Sequence, residues 1–186
     1  MNYSENLAPQ MAWTGSRMID VLNPDPHDII LGEVATGLSR EPRYGGAATA
    51  VFWSVAQHCL LADDLAVFDG IAHRETRLAI LLHDAPEYML RDIISPVKRF
   101  LPDYRDLEDV WWRATAHKFG LPKVLPGIVK HYDMVACSSE KKALISPEAG
   151  EWPGLPEPRP IPESLLVATP FQVARMFVAR VSSLLP

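Results

Sequence analysis

Apolar residues recur at helical spacing through most of this chain, and glycine and proline mark where each run stops. The first twelve residues carry no strong pattern, and Trp13-Thr14-Gly15-Ser16 reads as a turn before a short strand over 17–22. After the Asn23-Pro24-Asp25-Pro26 break, 28–39 reads as a helix with Ile30, Leu31, Val34, Ala35 and Leu38 on one side. Pro42 and the Gly45-Gly46 pair make 40–46 a loop. A helix over 47–65, apolar nearly all round, is expected to be buried on most faces. A second over 75–90 stays apolar until His83 and then turns ionic. Residues 103–119 form an amphipathic helix closed by Gly120, and another runs from Pro126 to about Ile145. The proline-rich stretch 148–162 is an irregular crossover. Thr169 and Pro170 then start a last helix reaching about Leu184, with Phe171, Ala174, Phe177, Val178 and Val181 inward. The expected fold is a single all-α domain, a bundle of five to six main helices with minor strand content near the N-terminus. Its core covers 40–146, between an N-terminal extension, 1–39, and the crossover and final helix, 147–186.

Composition adds few constraints. The 186 residues are 48% hydrophobic and 22% charged, as in ordinary globular proteins, and the net charge of -5 argues against a nucleic-acid polymer or a membrane as partner. Two cysteines, Cys59 and Cys137, form no disulfide framework, and no basic-then-apolar leader opens the chain, so the expected location is cytoplasmic.

The chemistry gathers on otherwise apolar helices. His58, the pair His83-Asp84 and Asp133 each sit on a long helix able to pack beside the others. Two imidazoles and two carboxylates make a mixed nitrogen and oxygen site for one divalent metal ion. Such a site suits Mn, Fe, Co, Ni or Zn better than calcium, with Mg also open. Glu87, four residues after His83, falls on the same helical face and is a candidate to orient or deprotonate a water; Asp92 could share that task. Arg43 offers a planar fork for phosphate on a glycine-flanked loop, and Lys98 is a second phosphate candidate. His131 should face away from Asp133, and His27, His73 and His117 are expected in solvent or capping roles. The tryptophans, including Trp111-Trp112, suit core or oligomer contacts better than a base-stacking platform.

Twenty-four residues separate His58 from His83, and forty-eight separate Asp84 from Asp133. This order resembles the HD-domain superfamily of metal-dependent phosphohydrolases over roughly residues 40–144. The phrase HDAPEYMLRDIISPVK is most similar to the 5′-deoxynucleotidase branch in its HDA-x-E core, in Asp92 and in the Ser95-Pro96-Val97-Lys98 tail. The resemblance implies metal binding by His58, His83, Asp84 and Asp133, substrate contact by Arg43 and Tyr44, and a homodimer. Tyr44 stands where the branch has a tryptophan packed on the sugar, and Gln57 where it has a glutamate. The implied activity is release of phosphate from deoxynucleoside 5′-monophosphates. Removal of pyrophosphate or triphosphate from nucleoside triphosphates and a non-catalytic binding module are the alternatives.

Overall fold

The computed structural model describes residues 8–47 and 51–186, and the fold is all-α with one small N-terminal hairpin. Strands β1 (Met11–Trp13) and β2 (Met18–Asp20) pair antiparallel with Ala12 opposite Ile19. The strand expected over 17–22 is therefore shorter, and its partner takes in the end of the patternless stretch together with Trp13, which the turn reading covers. Burial of Ile19 ties the hairpin to the core.

Among the described residues six longer helices follow: α1 (Leu31–Arg40), α2 (Val55–Phe68), α3 (Arg74–Leu82), α6 (Pro102–Phe119), α7 (Gly127–Leu144) and α9 (Pro170–Leu184). Three four-residue helices lie between them: α4 (Glu87–Leu90), α5 (Ser95–Lys98) and α8 (Glu163–Leu166). No described helix is long and apolar enough to cross a membrane.

Helix α2 is the central element, packed against α1, α3, α7 and α9. It begins at Val55 rather than 47, because Ser54 and Gln57 close a reciprocal capping box and Ser54 bridges to Pro42. Residues 48–50 of the expected helix lie outside the described residues. The Gln57 amide also donates to the Leu165 carbonyl at 2.7 Å, which pins α8 to the start of α2. A glutamate there could not donate this bond when ionised, which accounts for the glutamine. Lower down, the fully buried Asp63 receives Arg77 from α3 through two 2.8 Å bonds and Arg180 from α9 at 2.6 Å. One carboxylate thereby links three helices through charge-assisted bonds.

The expected helix over 75–90 is broken. Pro86 has no N–H for the Leu82 carbonyl, which bonds to Ala85 N instead at 2.9 Å. The chain tightens through His83–Pro86 and restarts as α4. The last helix keeps its expected start, with Thr169 and Gln172 in a second capping box. Its inward row, however, is Val173, Phe177, Val181 and Leu184, and Phe171 is 72% exposed. The row at 173, 177, 181 and 184 keeps helical spacing, and Phe171 falls outside it.

Helices α1 and α4 touch backbone to backbone. A Cβ at Gly37 would lie 2.8 Å from Tyr88 Cβ, whereas one at Gly32 on the same helix would meet nothing within 4 Å. Gly37→Ala is expected to lower stability by about 1–3 kcal/mol despite the better helix propensity of alanine. Gly32→Ala should be neutral or stabilising. Denaturant unfolding of both variants checks the pair, and equal behaviour would refute the close approach.

Candidate metal centre

His58 lies in the first turns of α2, where it is completely buried. Its Nδ1 donates to Glu140 Oε1 at 2.6 Å, since a carboxylate can only accept. His83 caps the end of α3 and donates from Nδ1 to the Ile80 carbonyl at 2.7 Å. Both rings thus have one nitrogen fixed and present Nε2, which is buried in each and makes no hydrogen bond. The rings face each other with centroids 5.4 Å apart.

Asp84 brings Oδ2 within 3.2 Å of His83 Nε2 and 3.8 Å of His58 Nε2. One potential ligand atom from each of His58, His83 and Asp84 lies within 4.8 Å of the others, so these three residues could hold a metal ion. Their chemistry fits one: two buried lone pairs without donors and an anionic oxygen converge, and the far side of each ring is braced as metal-binding histidines usually are. Asp133, on α7, approaches from the His58 side at 3.2 Å from Nε2 and also receives Lys130 at 2.7 Å. Burial alone would raise the Asp84 and Asp133 pKa values; with His83 and His58 protonated in place of a metal, their charge holds both carboxyls below the ordinary range, and a metal bound to the neutral rings would take over that role.

Glu140 is the residue that sequence reasoning misses. Its side chain is fully buried on α7, two turns beyond Asp133, and both oxygens are occupied. Oε1 takes His58, while Oε2 accepts from the Tyr44 hydroxyl at 2.5 Å and from Arg43 Nη2 at 3.5 Å. Burial would raise its pKa, but His58 and Arg43 outweigh this and bring it down to about 2. The seven-residue step from Asp133 is the one signal that could have found it.

Arg43 reaches the same cluster. Nη1 lies 3.7 Å from Asp84 and 3.9 Å from Asp92, and the buried Nε makes no hydrogen bond. Tyr44, in the left-handed region at φ 59°, packs on Trp152 with ring centroids 5.9 Å apart. This contact, with Ser138 Oγ donating to the Pro156 carbonyl at 2.6 Å, lays the crossover along α7 behind Tyr44. The Tyr44 hydroxyl is therefore committed to Glu140.

Glu87 opens α4 and is nearly buried, with Oε1 3.8 Å from Lys98 and Oε2 making no hydrogen bond. Burial first, then Asp84 and Asp92, push its pKa well up. Asp92 follows Arg91, which takes a positive φ of 77° and forms an ion pair with Glu41 at 2.9 Å. Arg91 thus pairs with neither Glu87 nor Asp92. Lys98 donates to Glu108 at 2.7 Å and is already shared between two carboxylates. His131 and His117 are exposed, and His73 caps α3 by accepting from Thr76 N. Cys59 is buried, with Sγ 4.0 Å from His83 Nδ1.

Two substitutions probe this centre. His83→Ala is expected to abolish stoichiometric metal, measured by elemental analysis after reconstitution. Glu140→Gln should weaken metal affinity by about 10- to 100-fold in a chelator competition, the usual cost of losing the partner behind a ligand histidine. Retained affinity would refute the bracing role.

No family model matches the chain. It is 44% identical over 118 residues to an uncharacterized protein of Rhodobacter capsulatus, covering 61% of this chain and 60% of that protein's length. It is 35% identical over 136 residues to the uncharacterized protein YfdR of Escherichia coli, covering 73% of this chain and 71% of YfdR. With that identity over so much of both lengths, the chain belongs to the same family as Escherichia coli YfdR.

Proposed function

We propose that this protein is a metal-dependent phosphohydrolase that releases phosphate from nucleotides, with deoxynucleoside 5′-monophosphates as its substrates. The observation that carries the reading is the pair of buried, hydrogen-bond-free Nε2 atoms of His58 and His83 beside Asp84, with Glu87 close by. The order of these residues resembles the HD-domain phosphohydrolases, and His58, His83, Asp84 and Asp133 would supply the ligands. When bound, a divalent metal supplies charge to draw on a phosphoryl oxygen and lowers the pKa of water.

The remaining work falls to the chain's own side chains. Hydrolysis of a phosphate monoester has a very high uncatalysed barrier, so positioning and charge must both be supplied. Arg43 faces the acidic cluster with one buried N–H donor unfilled, which suits a phosphoryl oxygen. Glu87 has a free oxygen and is held from the other side by Lys98, so it can orient the attacking water and take its proton. Asp92, 3.9 Å from Arg43, orients that guanidinium. Lys98 keeps Glu87 in place, and Tyr44 acts on the site by holding Glu140. The retention of Glu87, Arg43 and Asp92 around one centre is more than a sensor requires.

Metal-loaded protein incubated with deoxynucleoside and ribonucleoside monophosphates and with deoxynucleoside triphosphates is expected to release inorganic phosphate from the monophosphates. Tripolyphosphate or pyrophosphate from the triphosphates would replace this reading with the alternative substrate. Binding without turnover for every metal tried would leave a non-catalytic module.

Glu87→Gln tests the water-activating role. It is expected to reduce kcat by about 10²- to 10⁴-fold while metal stoichiometry is retained. An unchanged kcat would remove Glu87 from the reaction.

A further inference from the structure

A cleft borders the centre. His83, Asp84 and Glu87 line this cleft of about 560 Å³ together with residues of α6 and residues 123–125. That volume suits a small organic ligand, far more than a phosphate group needs.

The cleft has a built wall. Trp112 is 7% exposed, and its indole N–H donates to the Lys123 carbonyl at 3.0 Å. This bond locks the stretch after Gly120 to α6. Beyond it, Val124 is 81% exposed and Leu125 is half-buried, so the locked segment presents apolar surface to the cleft. An exposed valine on a pinned loop is available for contact without rearrangement.

Charge on the walls discriminates among ligands. Glu87 and Glu108 line the cleft with Asp109, and Lys98 already lies between the two glutamates, at 3.8 and 2.7 Å. Arg113 and Lys123 also line it, but they and Asp109 are all exposed and screened, while Glu87 is nearly buried and Glu108 half-buried, so these two carboxylates set the charge of the wall. Additional phosphates would run beside carboxylates. Sugar hydroxyls and base amino groups would instead find acceptors, and a flat base would find the apolar Val124–Leu125 surface.

Building on the function proposed above, we infer that this cleft receives the nucleoside half of the substrate and favours monophosphates over polyphosphates. The phosphate lies at the His83–Asp84–Glu87 end, the sugar beside Glu108 and Asp109, and the base on the Val124–Leu125 segment. Tyr44 lies outside these walls. Base contact therefore belongs to the segment after α6.

Val124→Trp fills the cleft at a position whose exposure spares the fold. For metal-loaded protein, the ratio of kcat/KM for a deoxynucleoside monophosphate to that for p-nitrophenyl phosphate should fall at least about tenfold, mainly through KM for the nucleotide. An unchanged ratio overturns the inference. If neither ester is hydrolysed, the proposed function fails, and the cleft is judged by calorimetric binding of the same nucleotide. At least about tenfold weaker binding to the Val124→Trp variant supports the cleft, whereas equal binding, or no binding to either protein, overturns it. In competition, deoxynucleoside triphosphate should bind more weakly than the monophosphate. Equal or tighter triphosphate binding overturns the stated preference.

Discussion

A fully buried carboxylate with no partner would be too costly to keep ionised, and Glu140 is completely buried. The structure meets that cost with three donors from two distant segments: His58 on α2, and Arg43 and Tyr44 on the loop before α2. Each donor is thereby held in return. His58 has its Nδ1 occupied and so presents Nε2 to the site. Arg43 is drawn across toward Asp84 and Asp92. Tyr44 takes a left-handed backbone that a non-glycine residue rarely adopts, held by its bond to Glu140 and its contact with Trp152.

The same logic recurs at the other end of α2. Asp63 is fully buried and answered by Arg77 and Arg180, so the central helix is bound through charge to α3 and α9 where its sides are otherwise apolar. Apolar packing specifies register less sharply than directional contacts, and the ionic contacts of His58 and Asp63 fix both halves of α2. A candidate metal centre needs such register, because His58 and His83 come from different helices and an error of about 1 Å separates a usable site from a loose one.

Local chemistry made much of this readable in advance. Gly120 and the Thr169-Pro170 start are signals carried by neighbouring residues, and the corresponding helices lie where the pattern puts them. Non-local features were hidden. β1 exists because Met18–Asp20 lies beside it, not because its own three residues alternate strongly. The apolar character of residues 47–54 could not reveal that Ser54 would cap α2. Glu140 stands among Ser138, Ser139 and Lys141, a context that reads as a solvated face, and only the fold supplies its partners from the loop before α2. His58, His83, Asp84 and Asp133 were visible because acid and imidazole on apolar helices are conspicuous by type. Their bracing was invisible because it depends on which helices meet.

Pro86 shows how a local irregularity shapes the centre. In an unbroken helix, Glu87 would lie one turn beyond His83, nearly in line with it. Tightening through His83–Pro86 changes that relation, and α4 then stops at Arg91 after a single turn. The chain can therefore place His83 and Asp84 against α2, set Glu87 on the cleft side near Lys98, and return Asp92 toward Arg43. A straight helix would carry these residues steadily away from one another along its axis. The break gathers them around one small volume, with Arg43 and Glu140 filling one flank and the α6 cleft giving access on another.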